Sequence, residues 1–352
     1  MQAFSKSELT YSQAMDLWDD DGFIDIDKCR IHHVPGSRET RGTPDRRKEW
    51  VEFADGQKCM IRGEWGFMGL KNFGVYSEII MEEFAKACGI KSAHYELAKW
   101  KENGKTIEGI MTKSFLEDDV LLDLSITQKF MSVYDITGQN PNEDIWREET
   151  DYDWMIKAFY ENLIKNGISA KKAENLRLKL NIRQIFGIST LKTDEHLKNI
   201  GLIFYHTPKS KAKVASLAPA FDCEAALLLD TDINIARKVI DTGIMPQIAN
   251  AQVPKVSSYS GEKDYSDEEM WKGTAKKLMQ IPEVATFYKN KILPIDIEKI
   301  VEKAEERSRA IFPDEVYELA IGSYLCRKKE ITREFAKELE NTVDRDAFQR
   351  TK

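Results

Sequence analysis

Apolar and polar residues alternate over short runs in the first third of the chain, which is the pattern of β-strands with one buried face. Two such runs, EWVEFA and KCMIRG, flank Asp55-Gly56, a dipeptide that favours a two-residue hairpin turn. In the second run, Met60 and Arg62 would share one face of the strand. Two further β-rich segments cover residues 94–100 and 106–116. The sequence therefore predicts a small sheet near the N-terminus.

One helix is predicted beside this sheet. From about Tyr76 to Cys88, apolar residues recur every four positions, with charged residues between them. Ser77 is placed to cap the start of this helix, and Gly89 is placed to stop it. Ahead of the sheet, acidic and apolar positions alternate over residues 1–30, which fits one or two short helices.

The rest of the chain has mostly helical patterns. The exception is a pair of strand-like segments at 199–206 and 213–219, separated by a turn. A sheet-rich N-terminal lobe over residues 1–120 and a larger, helix-rich C-terminal lobe over residues 121–352 predict a bilobal α+β protein. The predicted helices of the second lobe are 151–166, 170–186, 266–280, 294–311, 313–326 and 331–348.

Composition and charge narrow the functional classes. With 42% hydrophobic and 32% charged residues, the chain resembles an ordinary soluble globular protein. The net charge of −7 argues against non-specific nucleic-acid binding, so we expect no direct contact with nucleic acid. The five cysteines are scattered and include no CxxC pair, which favours buried thiols in a reducing compartment. Neither a signal peptide nor a membrane-spanning run is found, so we expect a cytoplasmic protein without membrane contact.

The densest polar segment is TDEHLKNIGLI, which contains Asp194, His196 and Asn199 and runs into the first of the two late strands. The returning strand ends at LAPAFDCE, so Asp222 follows it directly. Because antiparallel strands bring the entry of one beside the exit of the other, we expect Asn199 and Asp222 to be neighbours.

These residue types suit phosphoryl transfer. That reaction needs a carboxylate to orient the attacking hydroxyl and hard oxygen ligands to hold Mg²⁺ against the phosphates. Asp194 would be the base, with Asn199 and Asp222 as metal ligands. His196 would be either an acid–base group or a hydrogen-bonding brace for the catalytic loop. A single Asp or Asn near a turn more often caps that turn, so the prediction depends on the three residues together.

The run from Phe186 to Glu224 resembles the catalytic segment of HipA-like serine/threonine kinases, in which Asp-x-His-x-x-Asn precedes a hairpin and an apolar-Asp motif. YSEIIMEEFAKACGIKSAHYELAKW is similar to the helix and strand of the family's N-terminal lobe, and MTKSFLEDD to the strand that leads to the adenine site. The resemblance extends over residues 36–230. It implies a protein-kinase-like fold, with ATP and Mg²⁺ as cofactors.

The resemblance implies further nucleotide contacts. Glu78 falls where the family's helix supplies a carboxylate to a strand cation, although an acid in the first turn could also complement the helix dipole. Gly42 and Thr43 begin a stretch that resembles the phosphate-covering loop, whose backbone amides would reach the nucleotide.

One position departs from the family pattern. Relatives carry a lysine at the end of the second strand of this lobe to bind the phosphates, and this chain carries Arg62 there. Arginine keeps the charge but replaces a compact ammonium by a planar fork. Three explanations stay open: Arg62 does the lysine's work, Lys71 reaches in from the following loop, or catalysis is weakened. A solvated cation at the strand edge is a fourth interpretation.

The leading hypothesis is a kinase that transfers the γ-phosphate of ATP to Ser or Thr of a protein substrate, with autophosphorylation at Ser37 as a candidate event. One rival is a pseudokinase or nucleotide-binding interaction module, motivated by Arg62. Another is a kinase that acts on a small molecule or an RNA. The resemblance also implies a DNA-binding antitoxin partner. This chain itself has no clear helix-turn-helix.

Overall fold

The structure, a computed structural model, has mixed α+β architecture, with a sheet-rich N-terminal part and a mainly helical C-terminal part as predicted. The residues it describes are 4–35, 48–63, 73–102, 104–116, 120–121, 124–125, 127–133, 136, 150–195, 197, 199–207, 210–252, 256–257 and 267–341.

A seven-stranded sheet dominates the described N-terminal residues. Its strands in chain order are β1 (Ser5–Ser7), β2 (Ile24–Asp25), β3 (Ile31–His32), β4 (Lys48–Glu52), β5 (Lys58–Gly63), β6 (His94–Glu102) and β7 (Lys105–Lys113). Their spatial order is β2-β6-β7-β5-β4-β1-β3. Strands β4, β5, β7 and β6 pair antiparallel, whereas β1 joins β4 and β2 joins β6 in parallel. The first 30 residues therefore add strands to the sheet besides the short helix α1 (Tyr11–Met15) and a 3₁₀ turn at Ile26–Cys29.

The hairpin between β4 and β5 forms where it was predicted, but its loop is longer. The Phe53 amide donates to the Gln57 carbonyl at 2.8 Å, which leaves three residues in the loop instead of two. Gly56 adopts φ = 82°. Three-residue hairpin loops commonly combine a type I turn with one left-handed residue, and glycine takes that conformation without steric cost. The prediction of a two-residue turn was wrong for this reason.

Helix α2 (Gly74–Cys88) packs on the sheet and ends at Gly89, whose φ of 75° confirms the predicted stop. Its start was predicted wrongly. The N-cap position is Phe73, and Ser77 lies inside the helix. The Ser77 hydroxyl is buried and donates to the Cys223 carbonyl at 2.7 Å, so it connects the helix to the C-terminal part instead of capping it.

The described C-terminal residues form helices and a second sheet. The sheet has three strands, two of which form the predicted strand pair. The further strands are β8 (Val120–Leu121), β9 (Leu124–Ser125), β10 (Thr127–Ser132), β11 (Thr150–Asp151), β12 (Gly201–Thr207), β13 (Ser210–Leu217) and β14 (Val256–Ser257). The helices are α3 (Tyr152–Lys165), α4 (Ala170–Ser189), α5 (Ile233–Thr242), α6 (Met245–Ala251), α7 (Asp267–Met279), α8 (Pro282–Phe287), a π-helical turn at Tyr288–Ile292, α9 (Ile297–Ser308), α10 (Asp314–Glu334) and α11 (Ala336–Asn341).

Helix α10 corrects the prediction of two helices at 313–326 and 331–348. It continues through the charged run at 327–330 between the two predicted helices, because Lys, Arg and Glu are good helix formers. Arg327 in that run is fully buried, and its guanidinium donates to the carbonyls of Ile188 and Ala249. None of the described helices combines the length and apolar character that a membrane crossing needs.

A large apolar core joins α2 to the C-terminal helices. Phe84 of α2 contacts Phe186 and Tyr324 edge to face, with ring centroids 5.5 and 5.1 Å away. Aromatic pairs at this distance add to the stabilisation from burial of their area. A smaller core beneath the other face of the sheet includes Cys59 and Ile61, which point away from Met60 and Arg62 as predicted.

A polar junction fixes the same helix from its other side. Glu82 of α2 is 2% exposed and accepts hydrogen bonds from His94 Nδ1 and Arg307 Nη2, both at 2.8 Å. The other ring nitrogen of His94 lies 2.7 Å from Glu96. Hydrogen bonds to these two carboxylates raise the pKa of His94 to about 9, although burial opposes the shift. The junction links α2, β6 and α9.

We expect the stabilisation from His94 to be lost as the pH rises from about 6.5 to about 9. A histidine whose pKa is higher in the folded than in the unfolded protein contributes its full stabilisation at pH values below the pKa of the unfolded state. The contribution decreases as the pH rises towards the pKa of the folded state. The side chain is 39% exposed and partly screened, so the expected loss is only about 1 kcal/mol. Urea unfolding of the parent and of His94→Gln would show a difference near pH 6 that shrinks near pH 9.5. An equal difference at both pH values would contradict the prediction.

Candidate functional site

A cavity of about 320 Å³ lies between the N-terminal sheet and the C-terminal part. Strand β5 contributes Met60 and Arg62 to its wall, which are the residues predicted to share one face. The C-terminal part contributes Asn199 and Asp222. The other lining residues are Lys48, Trp50, Glu78, Tyr95, Thr112, Lys113, Ser114, Phe115, Leu116 and Phe221.

Arg62 is one of the cationic residues that line this cavity. Its guanidinium forms ion pairs with Glu78 and Asp222, and Nη2 lies 3.2 Å from Glu224. The Arg62 residue is only 4% exposed, and Glu78 is fully buried. Neither the interpretation of Arg62 as a solvated strand-edge cation nor that of Glu78 as an exposed acid on a helix dipole is therefore correct.

Three carboxylates surround the Arg62 guanidinium at this point. Burial raises the pKa of Glu78 to about 7, because Arg62 only partly offsets the cost of a charge without water. Burial would also raise the pKa of Asp222, but the adjacent Arg62 outweighs it and holds that pKa well below its usual range. Burial would lower the pKa of Arg62, and the surrounding carboxylates raise it instead.

Helix α2 holds the segment that carries Asp222. The Cys223 amide donates to Glu78 Oε2 at 2.8 Å, beside the bond from Ser77 to the Cys223 carbonyl. The Asp222 amide donates to the Tyr95 hydroxyl oxygen at 3.0 Å. Asp222 itself has φ = 56°, a left-handed conformation that Asp and Asn tolerate better than most residues. These contacts stabilise an unusual backbone conformation and turn the carboxylate towards Arg62.

Asn199 lines the cavity, and Asp194 contacts Asn199. The Asn199 amide nitrogen donates to the Asp194 carbonyl at 2.9 Å, and Asp194 Oδ2 lies 3.5 Å from the same nitrogen. The amide oxygen of Asn199 is then the atom that a cation would use. Strands β12 and β13 begin just after Asn199 and end just before Asp222, so the hairpin places both residues in the cavity as predicted.

Several predicted residues lie outside the described part of the chain. They are His196 of the catalytic segment, Gly42 and Thr43 of the phosphate loop, Ser37 as the candidate acceptor, and Lys71 as the alternative cation.

The donor set fits a magnesium ion bound with nucleotide phosphates. No group of three or more His, Cys, Asp or Glu side chains forms a metal site within the described ranges. Mg²⁺ in proteins commonly takes one or two protein carboxylates and completes its octahedron with phosphate and water oxygens. The Asp222 carboxylate and the Asn199 amide are hard oxygen ligands of this kind.

The structure adds residues that the sequence did not single out. Thr112 lines the cavity with a hydroxyl that is buried and has no hydrogen-bond partner among the described residues. Behind the catalytic segment, Arg183, Lys192 and Glu195 form a buried ionic group. No sequence pattern singled out this group, because tertiary packing brings its three members together.

The relationship to known proteins agrees with this geometry. The family model named HipA-like C-terminal domain matches residues 49–286. No curated protein sequence is a match. A solved structure of the Helicobacter pylori proinflammatory kinase CtkA is similar, with a TM-score of 0.60 and 14% identity over 87% of this chain and 97% of that chain.

A second solved structure contains HipA of Shewanella oneidensis with HipB and operator DNA. It is similar with a TM-score of 0.51 and 11% identity over 88% of this chain and 68% of that chain. At such identities, these structures show that the chain has a kinase-like fold. The family model spans more than half of the chain, and the chain therefore belongs to the HipA-like family.

Proposed function

We propose that this protein is an ATP- and Mg²⁺-dependent kinase that transfers the γ-phosphate to serine or threonine of a protein substrate. The main support is that one cavity contains a buried cation, Arg62, and two oxygen ligands, Asn199 and Asp222. Phosphoryl transfer depends on such groups, because it requires positioning and charge neutralisation more than covalent chemistry from the protein. Membership of the HipA-like family and the kinase-like fold agree with this proposal.

The adenine base would lie beside the end of β7. Thr112 is 7% exposed, and its hydroxyl has no partner among the described residues. Such a hydroxyl costs about 1–3 kcal/mol, which a ligand hydrogen bond would recover. Phe115 stacks on Phe221 with centroids 5.6 Å apart, which gives this end of the cavity an aromatic wall. The phosphates would then extend towards Arg62 and Asp222.

Each polar residue has a proposed role in the transfer. Asn199 and Asp222 would hold Mg²⁺, which when bound neutralises the charge of the transferring phosphate. Arg62 would contact the phosphates while Glu78 holds its guanidinium in place. Asp194 would orient the acceptor hydroxyl and take its proton. His196 keeps its two proposed roles, and Gly42 and Thr43 remain the proposed phosphate loop.

A pair of variants at Arg62 tests its proposed role. Arg62→Lys should keep phosphate transfer within about tenfold of the parent, because a compact ammonium still reaches the phosphates. It should lower the free energy of unfolding by about 1–2 kcal/mol, because a single ammonium nitrogen replaces the forked guanidinium that contacts the carboxylates. Arg62→Met should lose both transfer and the increase in melting temperature with Mg²⁺-ATP. It should also destabilise by about 3–5 kcal/mol, since buried carboxylates lose their counterion. Equal transfer by parent and Arg62→Met would contradict this role.

The central experiment incubates the purified protein with [γ-³²P]ATP and Mg²⁺, alone and with a cell lysate, and maps phosphosites by mass spectrometry. We expect Mg²⁺-dependent incorporation on Ser or Thr, with Ser37 as the candidate self-modification site. Label in a small molecule or RNA instead of protein would redirect the proposal to that acceptor class. Absence of label from every fraction, under conditions where Mg²⁺-ATP raises the melting temperature, would contradict the proposal.

A pseudokinase or nucleotide-sensing module is the second candidate. The direct ion pair of Arg62 with Asp222 favours it, because the proposed phosphate cation already occupies the proposed metal ligand. Nucleotide binding would then have to separate this pair. A melting-temperature shift with ATP and Mg²⁺ but without phosphate transfer is the outcome that distinguishes this candidate.

A partner and a location are also proposed. HipA of Shewanella oneidensis was solved with HipB and operator DNA, and a DNA-binding antitoxin is the corresponding proposed partner of this chain. The cytoplasm is the proposed location. All five cysteines are free thiols, and burial raises the pKa of Cys29, Cys88 and Cys223 to about 12, which keeps these thiols protonated and unreactive.

A further inference from the structure

Three buried charged side chains form one ionic group directly behind the catalytic segment. Arg183 of α4, Lys192 and Glu195 are 3%, 2% and 1% exposed. Arg183 Nε lies 2.9 Å from Glu195 Oε1, and Lys192 forms an ion pair with Glu195 Oε2. One carboxylate therefore serves two cations, and the opposing cations hold the pKa of Glu195 below its usual range although burial would raise it.

The remaining hydrogen bonds of the two cations end on two separate chain segments. Arg183 donates to the carbonyl of Asn199 at 2.9 Å, on the segment that carries Asp194. It also donates to the carbonyl of Pro219 at 3.0 Å, on the segment that leads to Asp222. Lys192 donates to the carbonyl of Phe221 at 2.9 Å, directly before Asp222. The ionic group thus connects the segment that enters the β12–β13 hairpin with the segment that leaves it, at the open end of the hairpin.

We propose that Arg183, Lys192 and Glu195 are positioning residues that set the distance between the Asp194–Asn199 segment and Asp222. This inference rests on the proposed kinase function. Glu195 follows Asp194 directly, so its ionic bonds fix the backbone from which the Asp194 side chain extends. The carbonyl bonds of the two cations fix the backbone of Asn199 and the backbone beside Asp222.

The geometry of a magnesium site explains why such a group is needed. Mg²⁺ demands near-ideal octahedral geometry with ligands at about 2.0–2.1 Å. A misplacement of about 1 Å can cost about 10²-fold in rate. The two proposed ligands stand on different segments, and the last bond of the hairpin, from the Ala218 amide to the Gly201 carbonyl, lies two residues after Asn199 and four residues before Asp222. The strand pairing therefore does not by itself hold the two ligand residues.

A purely structural role fits the contacts less well. Burial of charged groups is costly, and well-packed apolar residues often stabilise a core equally well or better. Two of the carbonyls that the cations bind belong to a proposed metal ligand, Asn199, and to Phe221, the neighbour of the other ligand. A group that only stabilised the core would not need hydrogen bonds to these two carbonyls.

The test variant is Glu195→Gln, which keeps the shape of the side chain and removes its charge. We expect kcat for phosphate transfer to fall about 10–100-fold, as for other residues that orient metal ligands. We also expect the Mg²⁺ concentration for half-maximal transfer to rise about tenfold, whereas KM for ATP at saturating Mg²⁺ stays within about twofold. Arg183→Lys should give a smaller effect of the same kind, and Glu195→Asp should recover part of the loss.

Arg327→Met is the matched control, because Arg327 is also a buried arginine that donates to backbone carbonyls, including that of Ala249. It should lower the melting temperature without changing the Mg²⁺ dependence. An unchanged kcat and Mg²⁺ profile for Glu195→Gln, or an equal Mg²⁺ shift for Arg327→Met, would overturn the proposed positioning role.

Failure of the kinase proposal can be distinguished from failure of the positioning role. If the parent transfers no phosphate, that proposal is overturned, and the positioning role is read from Mg²⁺ titrations of ATP binding by thermal shift. A weaker Mg²⁺ dependence in Glu195→Gln than in the parent then supports the positioning role, and identical titrations overturn it.

Discussion

Replacement of Asp194 by asparagine should lower the rate of phosphate transfer by about 10²–10⁴-fold while nucleotide binding is largely kept. Asparagine has the shape of aspartate but cannot accept the proton of the attacking hydroxyl. The bond from Asn199 to residue 194 ends on a backbone carbonyl, so the substitution keeps it. A [γ-³²P]ATP transfer assay measures the loss, and the melting-temperature shift with Mg²⁺-ATP measures binding.

Asp241→Asn is the control for this experiment, because Asp241 is an exposed aspartate on α5 that lies outside the proposed site. It should transfer phosphate as the parent does. Transfer by Asp194→Asn at the parent rate would mean that another group orients the hydroxyl, and the role proposed for Asp194 would be abandoned.

Replacement of Asp222 by asparagine should abolish Mg²⁺-dependent nucleotide binding and strongly lower the rate of transfer. The expected loss of transfer is about 10³-fold, since metal ions supply several kcal/mol of charge stabilisation in such reactions. Asparagine tolerates the left-handed backbone at this position, where φ is 56°, so a loss of function would not result from backbone strain. The substitution also removes one of the carboxylates that contact Arg62, and we expect the fold to be retained.

Thermal shift with ATP, with and without Mg²⁺, separates the two aspartate variants. Asp194→Asn should keep the Mg²⁺-dependent part of the shift, and Asp222→Asn should lose it. If Asp222→Asn retained the parent's Mg²⁺ dependence, the metal would have to be held elsewhere. Circular dichroism of both variants checks that each is folded.

Helices, strands and turns that depend on residues close together in the chain could be predicted from the sequence. The alternation around Asp55-Gly56 located β4 and β5, and the glycine at the end of α2 located its stop. The hairpin of β12 and β13 also brought Asn199 and Asp222 together as expected, since pairing of adjacent strands follows from the order of apolar runs. Details that depend on the exact backbone path, such as the three-residue loop, were not predictable from residue type alone.

The role of Arg62 depends on contacts with residues that are distant in the sequence. Its sequence neighbours allowed a solvated edge cation, a phosphate ligand or a weakened site. Its actual partners Glu78 and Asp222 stand 16 and 160 residues away. Ser77 is a second example, because a serine near the start of a helix is a typical cap. Its hydroxyl instead donates to the carbonyl of Cys223, 146 residues away, in a buried contact between the N-terminal and C-terminal parts.

The sequence by itself determined the residue types, their order and the hairpin that joins Asp194 and Asn199 to Asp222, because these follow from local patterning and strand pairing. Only the tertiary structure decided which groups surround them. The ion pairs of Arg62 and the buried group of Arg183, Lys192 and Glu195 depend on side chains that meet when distant segments pack. The energy of a buried charge depends on every neighbour within a few ångströms, and neighbours in space cannot be read from neighbours in sequence.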